Sequence, residues 1–454
     1  MKRLSSPISG IKPLYDVVVI GSGYGGSITA SRMARAGKKV CLLEKGKEFQ
    51  PGEYPNRFLP AVEETQIDTP GEHIGKQTGL IDVSVNQEIN VVKGCGLGGT
   101  SLINANVGME PDDVVLDDPR WPQALREDRA TLKTAYRNAK EMLQTVPYPD
   151  RLPMPAKALS MKTAAEKMGV AGKWRYTPIY VNFDIDGKNR VGVEQKPCEK
   201  CGDCCSGCNF KAKNTMIMNY LPDAINHGAE IYTQVNVRYI EKQDKIWNIH
   251  YSLLQTGEEK FDAATDFISA PVVVLGAGAL GSTELLLRSA EKGLPCSGML
   301  GTHFTGNGDF LAFGYNDELR ANSIGDGIRK PDELDPIGPN ISSIIDLRNC
   351  ANASEGMVIE EGVVPGAMSA AFSAMISLAA ETEGQNTGIG ISDRTRKAKR
   401  DLESLVFGPY HGAINHTMVY LVMTMDDDHG KMTLENDRLR IDWPGAGQQP
   451  IYQK

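Results

Sequence analysis

The sequence predicts an α/β fold built around a parallel sheet, and three patterns support this prediction. Residues 16–20 are a short apolar run, typical of a buried parallel strand, and a glycine-rich turn at residues 21–26 follows directly. Residues 27–36 then have helical character, and residues 39–44 form a second apolar run. Residues 272–288 repeat the order of strand, glycine turn and helix. The N-terminal patterns together form the start of a β-α-β unit.

Length and charge narrow the classes of protein. A chain of 454 residues corresponds to about three domain equivalents at roughly 150 residues each, and two interleaved domains fit the length as well. The formal net charge of −8 disfavours nucleic acid as a partner, because an acidic surface repels phosphate. The N-terminus lacks the basic and apolar regions of a signal peptide. We therefore expect a soluble enzyme, cytoplasmic or otherwise intracellular.

The remaining segments carry weaker signals. Residues 51–89 are rich in Pro, Gly and polar residues and predict a long irregular excursion, whereas residues 132–143 have helical spacing. Residues 363–380 are apolar but interrupted by Pro, Gly and Ser, which predicts a buried or partly buried helix and no transmembrane segment. Residues 417–425 and 431–443 predict two strands joined across an acidic turn.

The first glycine turn has the G-x-G-x-x-G spacing of a dinucleotide site. Gly21 permits the tight turn, Gly23 lets the backbone approach a pyrophosphate, and Gly26 permits close packing of helix on strand. Glu44 ends the second strand, where a carboxylate can accept hydrogen bonds from a ribose diol. The spacing does not separate NAD from FAD. The second glycine turn, residues 276–281, indicates either a second nucleotide site or another part of the same one.

Several stretches together resemble the glucose-methanol-choline (GMC) oxidoreductases, and most closely their cholesterol oxidase branch. The resemblance runs from about Asp16 to Trp443 and rests on the first glycine turn with Glu44 and on three further motifs, residues 94–104, 276–287 and 306–309. It implies an FAD/NAD(P)-binding Rossmann-like domain interleaved with an antiparallel-sheet substrate domain. The implied segments are residues 13–110 (first FAD-binding part), 111–215 (substrate part with a cysteine-rich link), 216–312 (second FAD-binding part) and 313–443 (substrate-binding domain).

The resemblance also implies a single FAD in an extended conformation. The residues that would hold or approach it are Gly21, Gly23, Tyr24, Gly25, Gly26, Glu44, Gly94, Gly98, Gly99, Ser101, Asn104, the backbone of Val237, Gly276, Gly278, Asn307, Gly308 and Asp309. Enzymes of this family transfer a hydride from an alcohol carbon to the flavin, and oxygen or another acceptor then reoxidises it. The implied substrate is a hydrophobic alcohol, either sterol-like or long-chain.

In steroid-oxidising relatives a glutamate also moves a proton, and Glu360, five residues before Pro365, matches it best. The alternative is a solvated pair of Glu360 and Glu361 on a loop. Family members close with a histidine-bearing segment that faces the substrate hydroxyl, and nothing after Trp443 matches it. A second hypothesis is therefore a truncated, catalytically incompetent homologue or a binding module.

A cysteine cluster in a turn-rich segment, residues 184–214, needs its own explanation. Four cysteines follow C-x2-C-x2-C-x3-C, the spacing of bacterial ferredoxins, although Asn209 stands where those motifs carry proline. An iron–sulfur cluster, zinc, and structural thiols or a local disulfide all remain open, and a cluster would make the protein a flavin/iron–sulfur alcohol dehydrogenase. Lys211 and Lys213 predict lowered thiol pKa values. The four motif cysteines are Cys198, Cys201, Cys204 and Cys208, and Cys205 adds a fifth thiol.

Overall fold

A computed structural model describes residues 2–255, 265–349, 355–382 and 391–453 of the chain. The α-helices of these residues are numbered α1 to α11 in chain order. Their bounds are α1 Tyr24–Arg35, α2 Phe58–Glu63, α3 Asp113–Leu116, α4 Gln123–Glu127, α5 Arg129–Leu143, α6 Ala156–Lys167, α7 Tyr220–Asn226, α8 Gly278–Glu291, α9 Ser369–Thr382, α10 Ile391–Phe407 and α11 Gly412–Asn415.

The strands are mostly short. Their bounds are β1 Val17–Ile20, β2 Val40–Leu43, β3 Thr65–Asp68, β4 His73–Ile74, β5 Ile81–Val85, β6 Asn90–Gly94, β7 Trp174–Tyr176, β8 Gly187–Lys188, β9 Glu194–Gln195, β10 Glu230–Tyr232, β11 Val235–Gln243, β12 Ile246–Leu253, β13 Asp266–Ala270, β14 Val272–Leu275, β15 Phe310–Gly314, β16 Ser343–Asp346, β17 Val358–Gly362, β18 Met418–Met423, β19 Lys431–Glu435 and β20 Arg438–Asp442.

The parallel sheet has the strand order β10-β2-β1-β14, with every neighbouring pair parallel. All residues of β1 and β2 are buried, as expected for strands covered on both faces. Helix α1 begins at Tyr24, directly after Gly23, which is three residues earlier than the sequence predicts. The α/β class is confirmed, and β14 brings the second glycine turn next to the first.

A second sheet, of order β15-β18-β17-β16-β7, is antiparallel throughout. Strand β7 precedes β14 of the parallel sheet in the chain, whereas β15 to β18 follow it. The two sheets are therefore interleaved in sequence. In its centre, Glu360 of β17 lies opposite Ile344 on one neighbouring strand and Leu421 on the other. This sheet carries the carboxylate that the family resemblance singles out.

Two predictions about strands are wrong. The segment expected to be irregular, residues 51–89, contains α2, β3, β4 and β5, and with β6 it completes a four-stranded sheet of order β4-β3-β5-β6. The two strands expected across the acidic turn are three. The first, β18, pairs with β15 and β17, while β19 and β20 pair with each other. Strand β18 thus pairs with strands distant in sequence and does not pair with β19, which the acidic turn had indicated.

Helix α9 occupies the apolar segment between residues 363 and 380 but begins later, after Pro365 and a 3₁₀ turn at Gly366–Met368. Phe372 and Ile376 are its buried contacts with the core. Within the described ranges, no helix combines the length and apolar character required to cross a membrane.

Candidate cofactor and active site

Three glycine-rich segments from distant parts of the chain touch each other at the carboxyl end of β1. A Cβ atom placed on Gly26 would lie 1.9 Å from the carbonyl oxygen of Gly21. One on Gly276 would lie 2.7 Å from the Cα of Gly26, and one on Gly99 would lie 2.8 Å from the Cα of Gly23. Side chains at these positions would push the backbones apart. Both glycine turns therefore belong to one discontinuous site.

The three segments form the floor of a cleft of about 880 Å³, large enough for a cofactor. Helix α1 points its N-terminus into this region and has Gly23 as its N-cap, so free N–H groups are available to an anionic phosphate. The residues that the sequence assigned to the cofactor and that line the cleft are Gly21, Gly23, Tyr24, Gly25, Glu44, Gly94, Gly99, Val237, Gly276 and Gly278.

Glu44 is fixed at the wall of this cleft. Its Oε2 accepts hydrogen bonds from the backbone N–H and the hydroxyl of Ser22, at 3.0 and 2.6 Å, and its Oε1 accepts one from the N–H of Gly46 at 2.8 Å. Burial raises the pKa of Glu44, and these hydrogen bonds oppose the rise. Ser22 also accepts the N–H of Gly98 at 2.8 Å. Ser22 thus links Glu44 to the glycine-rich segment of residues 94–104, a role that no sequence pattern indicated.

Other residues assigned to the cofactor do not line the cleft. Gly26 serves the contact of helix and strand. Ser101 is fully buried; its hydroxyl donates to the carbonyl of Gly98 at 2.6 Å and accepts the N–H of Met216 at 3.1 Å, so it is occupied by the backbone. Asn104 donates from Nδ2 to the Tyr24 hydroxyl at 2.8 Å. Gly98, Ser101 and Asn104 therefore shape the loop and position Tyr24.

The loop of Asn307, Gly308 and Asp309 also lies outside the residues that line the cleft. It is held by Asp426, whose Oδ2 accepts the N–H groups of Gly306 and Gly308 at 2.7 and 2.9 Å. Asn307 donates to Asp309 at 3.1 Å. Their placement near the cofactor therefore stays a prediction from the resemblance, and Asp309 lies near enough to Glu360 to raise its pKa.

Glu360 is a buried carboxyl group without a partner. Its residue exposure is 1%, and neither carboxyl oxygen has a hydrogen-bond partner among the described residues. Burial, and then the charges of Glu361 and Asp309, raise the pKa of Glu360 to about 8. A position on a central strand contradicts the alternative of a solvated pair on a loop. With this pKa the carboxyl group is protonated near pH 7.

Glu361, the next residue, points to the opposite side of the strand. It is fully buried and receives the ammonium group of Lys157 at 3.0 Å. Ser342 and Ser343 donate to its carboxylate from both backbone N–H groups and both hydroxyls. Glu361 is therefore a satisfied structural charge that ties α6 to the antiparallel sheet.

The cysteine-rich segment wraps a small cavity of about 50 Å³. All four cysteines of the C-x2-C-x2-C-x3-C motif line it, and Cys205 does not. The cysteines of the described region are free thiols, which rules out the local disulfide there. In the same region, no three His, Cys, Asp or Glu side chains converge closely enough to hold a single metal ion, which counts against zinc.

The prediction of acidic thiols in this segment is wrong. Burial raises the pKa of Cys198, Cys201 and Cys204, and that of Cys205 to about 12. Lys213 opposes the rise at Cys204 and Cys205, but desolvation is the larger effect.

Lys213 connects the cysteine-rich segment to the loop of residues 94–104, which we call the cofactor loop. Its ammonium group is buried and donates to the carbonyl oxygens of Leu102, Asn104 and Cys204 at 3.1, 2.7 and 3.0 Å. The three N–H donors of the ammonium group each have a carbonyl acceptor, so among the described residues these hydrogen bonds, and no carboxylate, stabilise the buried charge.

Comparison with known proteins identifies the family of this chain. The family model described as GMC oxidoreductase matches residues 16–299, more than half of the chain. The chain is similar to a cholesterol oxidase of Mycobacterium tuberculosis, with 30% identity over 62% of this chain and 49% of the relative. A long-chain-alcohol oxidase of Arabidopsis thaliana is 29% identical over 48% of this chain and 26% of its own length. The chain thus spans about half the length of the cholesterol oxidases that it matches, and less of the plant enzyme.

A solved structure, pyridoxine 4-oxidase from Mesorbium loti, superimposes with a TM-score of 0.52 at 16% identity. The superposition covers 96% of this chain and 77% of the other. The likeness extends over both sheets and supports the fold alone.

Proposed function

Because this chain belongs to the GMC oxidoreductases, we propose that it binds FAD in the cleft and uses it to oxidise a hydrophobic alcohol, sterol-like or long-chain. The observation that carries this proposal is the contact of three glycine-rich segments around one cleft, with Glu44 fixed at its wall. The three segments can lie this close only because their contacts are glycines, which we call the glycine cradle. Such a cradle lets the backbone approach a dinucleotide closely.

The chain's own groups have defined tasks in this proposal. The N-terminus of α1 binds the pyrophosphate through free N–H groups, and Glu44 accepts hydrogen bonds from a ribose diol. FAD, when bound, supplies the acceptor for a hydride from the alcohol carbon, and oxygen or another acceptor reoxidises it. The protein orients the reactants and excludes water from them.

Glu360 is the group that exchanges a proton in this proposal. Its pKa of about 8 keeps it protonated near neutral pH, so it can give a proton to a bound substrate and, as the resulting carboxylate, take one back. Its strand neighbours Ile344 and Leu421 are apolar, which suits a hydrophobic substrate. Among the proteins similar to this chain are a cholesterol oxidase and a long-chain-alcohol oxidase, and both names fit that class of substrate.

The test is flavin reduction by alcohols in the absence of oxygen. The purified chain is loaded with FAD, freed of excess, and mixed with a sterol, a long-chain primary alcohol, or glycerol as the polar control. We expect stoichiometric flavin bands, bleaching with one hydrophobic class and none with glycerol. A colourless protein contradicts the FAD proposal. A yellow protein that no alcohol bleaches contradicts the oxidation and favours the binding-module alternative.

A further inference from the structure

The cavity in the cysteine-rich segment has a composition that the proposed function does not explain. In ferredoxins with two clusters, the fourth cysteine of C-x2-C-x2-C-x3-C serves the other cluster. Here Cys208 opens on the same cavity as Cys198, Cys201 and Cys204. The fold therefore brings all four thiols of the motif around one space, which the spacing alone could not establish.

The backbone of this segment is arranged around the sulfur atoms. The N–H of Lys200 donates to the Cys198 Sγ at 3.3 Å. Gly202 and Gly207 have φ of +79° and +102°, which lets the chain curl between the cysteines. A Cβ on Gly207 would lie 2.1 Å from the ring of Tyr54. Hydrogen bonds to the ligating sulfurs are a feature of protein sites for iron–sulfur clusters.

The spacing of the four cysteines and the cavity that they share fit a cluster. A zinc ion held by these four cysteines would require their sulfurs at about 2.3 Å from one centre. Among the described residues no three His, Cys, Asp or Glu side chains are placed to hold a single ion, whereas all four motif cysteines line one cavity of about 50 Å³. A cluster distributes its thiolates over several irons, so its ligands stand farther apart than the ligands of one ion.

We propose that this cavity is the binding site of a [4Fe–4S] cluster, with Cys198, Cys201, Cys204 and Cys208 each ligating one iron. Each Fe–S bond forms as a thiol releases its proton to solvent. The assembled site is negatively charged, and the buried ammonium group of Lys213, bound to the Cys204 carbonyl at 3.0 Å, offsets part of that charge.

The cavity lies close to the cofactor loop. Lys213 binds the carbonyls of Leu102 and Asn104 in that loop as well as the Cys204 carbonyl. A cluster here would carry the two electrons of a reduced flavin singly to an external one-electron acceptor, while the protons pass to solvent. This use rests on the proposed function, whereas the binding of the cluster does not.

The experiment measures iron and acid-labile sulfide in the full chain, purified and reconstituted without oxygen with ferrous iron and sulfide. Electron paramagnetic resonance follows reduction by dithionite. We expect about four irons and four sulfides per chain and a signal from the reduced cluster. Cys201→Ser and Cys208→Ser should hold less than about one iron per chain, whereas Cys205→Ser, a thiol of the same segment outside the cavity, should retain the full complement.

Folding is checked on every sample by cooperative thermal unfolding. A folded wild-type chain that holds less than about one iron per chain, or that takes zinc in its place, overturns the proposal. Equal iron in Cys201→Ser and Cys205→Ser overturns it too, since binding would then be nonspecific. Alcohol-dependent bleaching is measured on the same samples: iron without bleaching counts against the proposed function only, and bleaching without iron counts against the cluster only.

Discussion

Glu360 and Glu361 are consecutive residues of β17, yet within the described part of the chain only Glu361 has a counter-ion. Glu361 binds Lys157 at 3.0 Å, whereas neither oxygen of Glu360 has a partner among the described residues. Alternation along a strand sends the two side chains to opposite faces of the sheet. One strand therefore carries a fixed charge on one face and a carboxyl group that can titrate on the other.

Glu360→Gln should stabilise the protein increasingly as the pH rises. The pKa of Glu360 is about 8 in the folded chain and near 4.5 when unfolded, so between these values the unfolded state releases a proton that the native state keeps. Wild-type stability consequently falls across this window, by up to ~5 kcal/mol, and the amide avoids the loss. Urea unfolding of both proteins at pH 5 and pH 8 measures the difference.

The matched control is Glu333→Gln, which changes an exposed glutamate. Its difference from wild type should stay flat between the two pH values. A flat response in Glu360→Gln as well would mean that Glu360 is not buried in its neutral form.

Lys157→Met should be strongly destabilising. It removes the only charged partner that the described residues give Glu361, and breaking a buried pair from one side costs about 3–5 kcal/mol. Adding Glu361→Gln should recover part of that loss, since no lone charge then remains buried. Denaturant unfolding of the single and double variants measures both effects. Lys196→Met, in an exposed pair with Asp186, is the control and should change little.

Gly276→Ala should weaken FAD binding. The added Cβ would meet the Cα of Gly26 at 2.7 Å and force the second glycine turn away from α1. Overpacking of about 1–3 kcal/mol corresponds to a loss of roughly tenfold to a hundredfold in affinity. Flavin titration of the apoprotein measures it. Gly172→Ala has open space around the new Cβ and should bind FAD like wild type; equal affinities of both variants would contradict the cradle.

Lys213→Met should loosen the cofactor loop. It leaves the carbonyls of Leu102, Asn104 and Cys204 without their donor in the interior, at a cost of about 1–3 kcal/mol for each buried unsatisfied group. We expect a lower unfolding midpoint and faster loss of FAD on dilution, measured by flavin fluorescence. Lys211→Met, a nearby lysine on the same segment, should show neither effect, and an unchanged midpoint in Lys213→Met would contradict the role of the ammonium group.

The sequence was sufficient for features set by neighbouring residues. The strand of residues 17–20, the turn at Gly21 and the carboxylate of Glu44 follow one another within about thirty residues, so local pattern determines them. The sheet of β3 to β6 was missed because its strands are only two to five residues long, half exposed and set among Pro and Gly. The alternation of apolar and polar residues in these strands is too short to be recognised as a strand pattern.

The sites depended on contacts that no local pattern reports. The spacing of the four motif cysteines could not show whether Cys208 faces the other three, and the burial of Glu360 depends on strands that begin at Ser343 and Met418. Pairing of β18 with β19 failed as a prediction because sequence neighbours often pair but need not. Long-range packing decided each of these points.

The distance in sequence between the three glycine segments also determines when the FAD site can form during translation. Gly278 leaves the ribosome 252 residues after Gly26, which takes roughly 10–50 s at ordinary rates of translation. Until then β1 lacks β14, its neighbour on one side, and the nascent chain exposes an unpaired strand edge. FAD can meet a complete cradle only after that interval, so the nascent chain cannot use early capture of the cofactor to protect this edge.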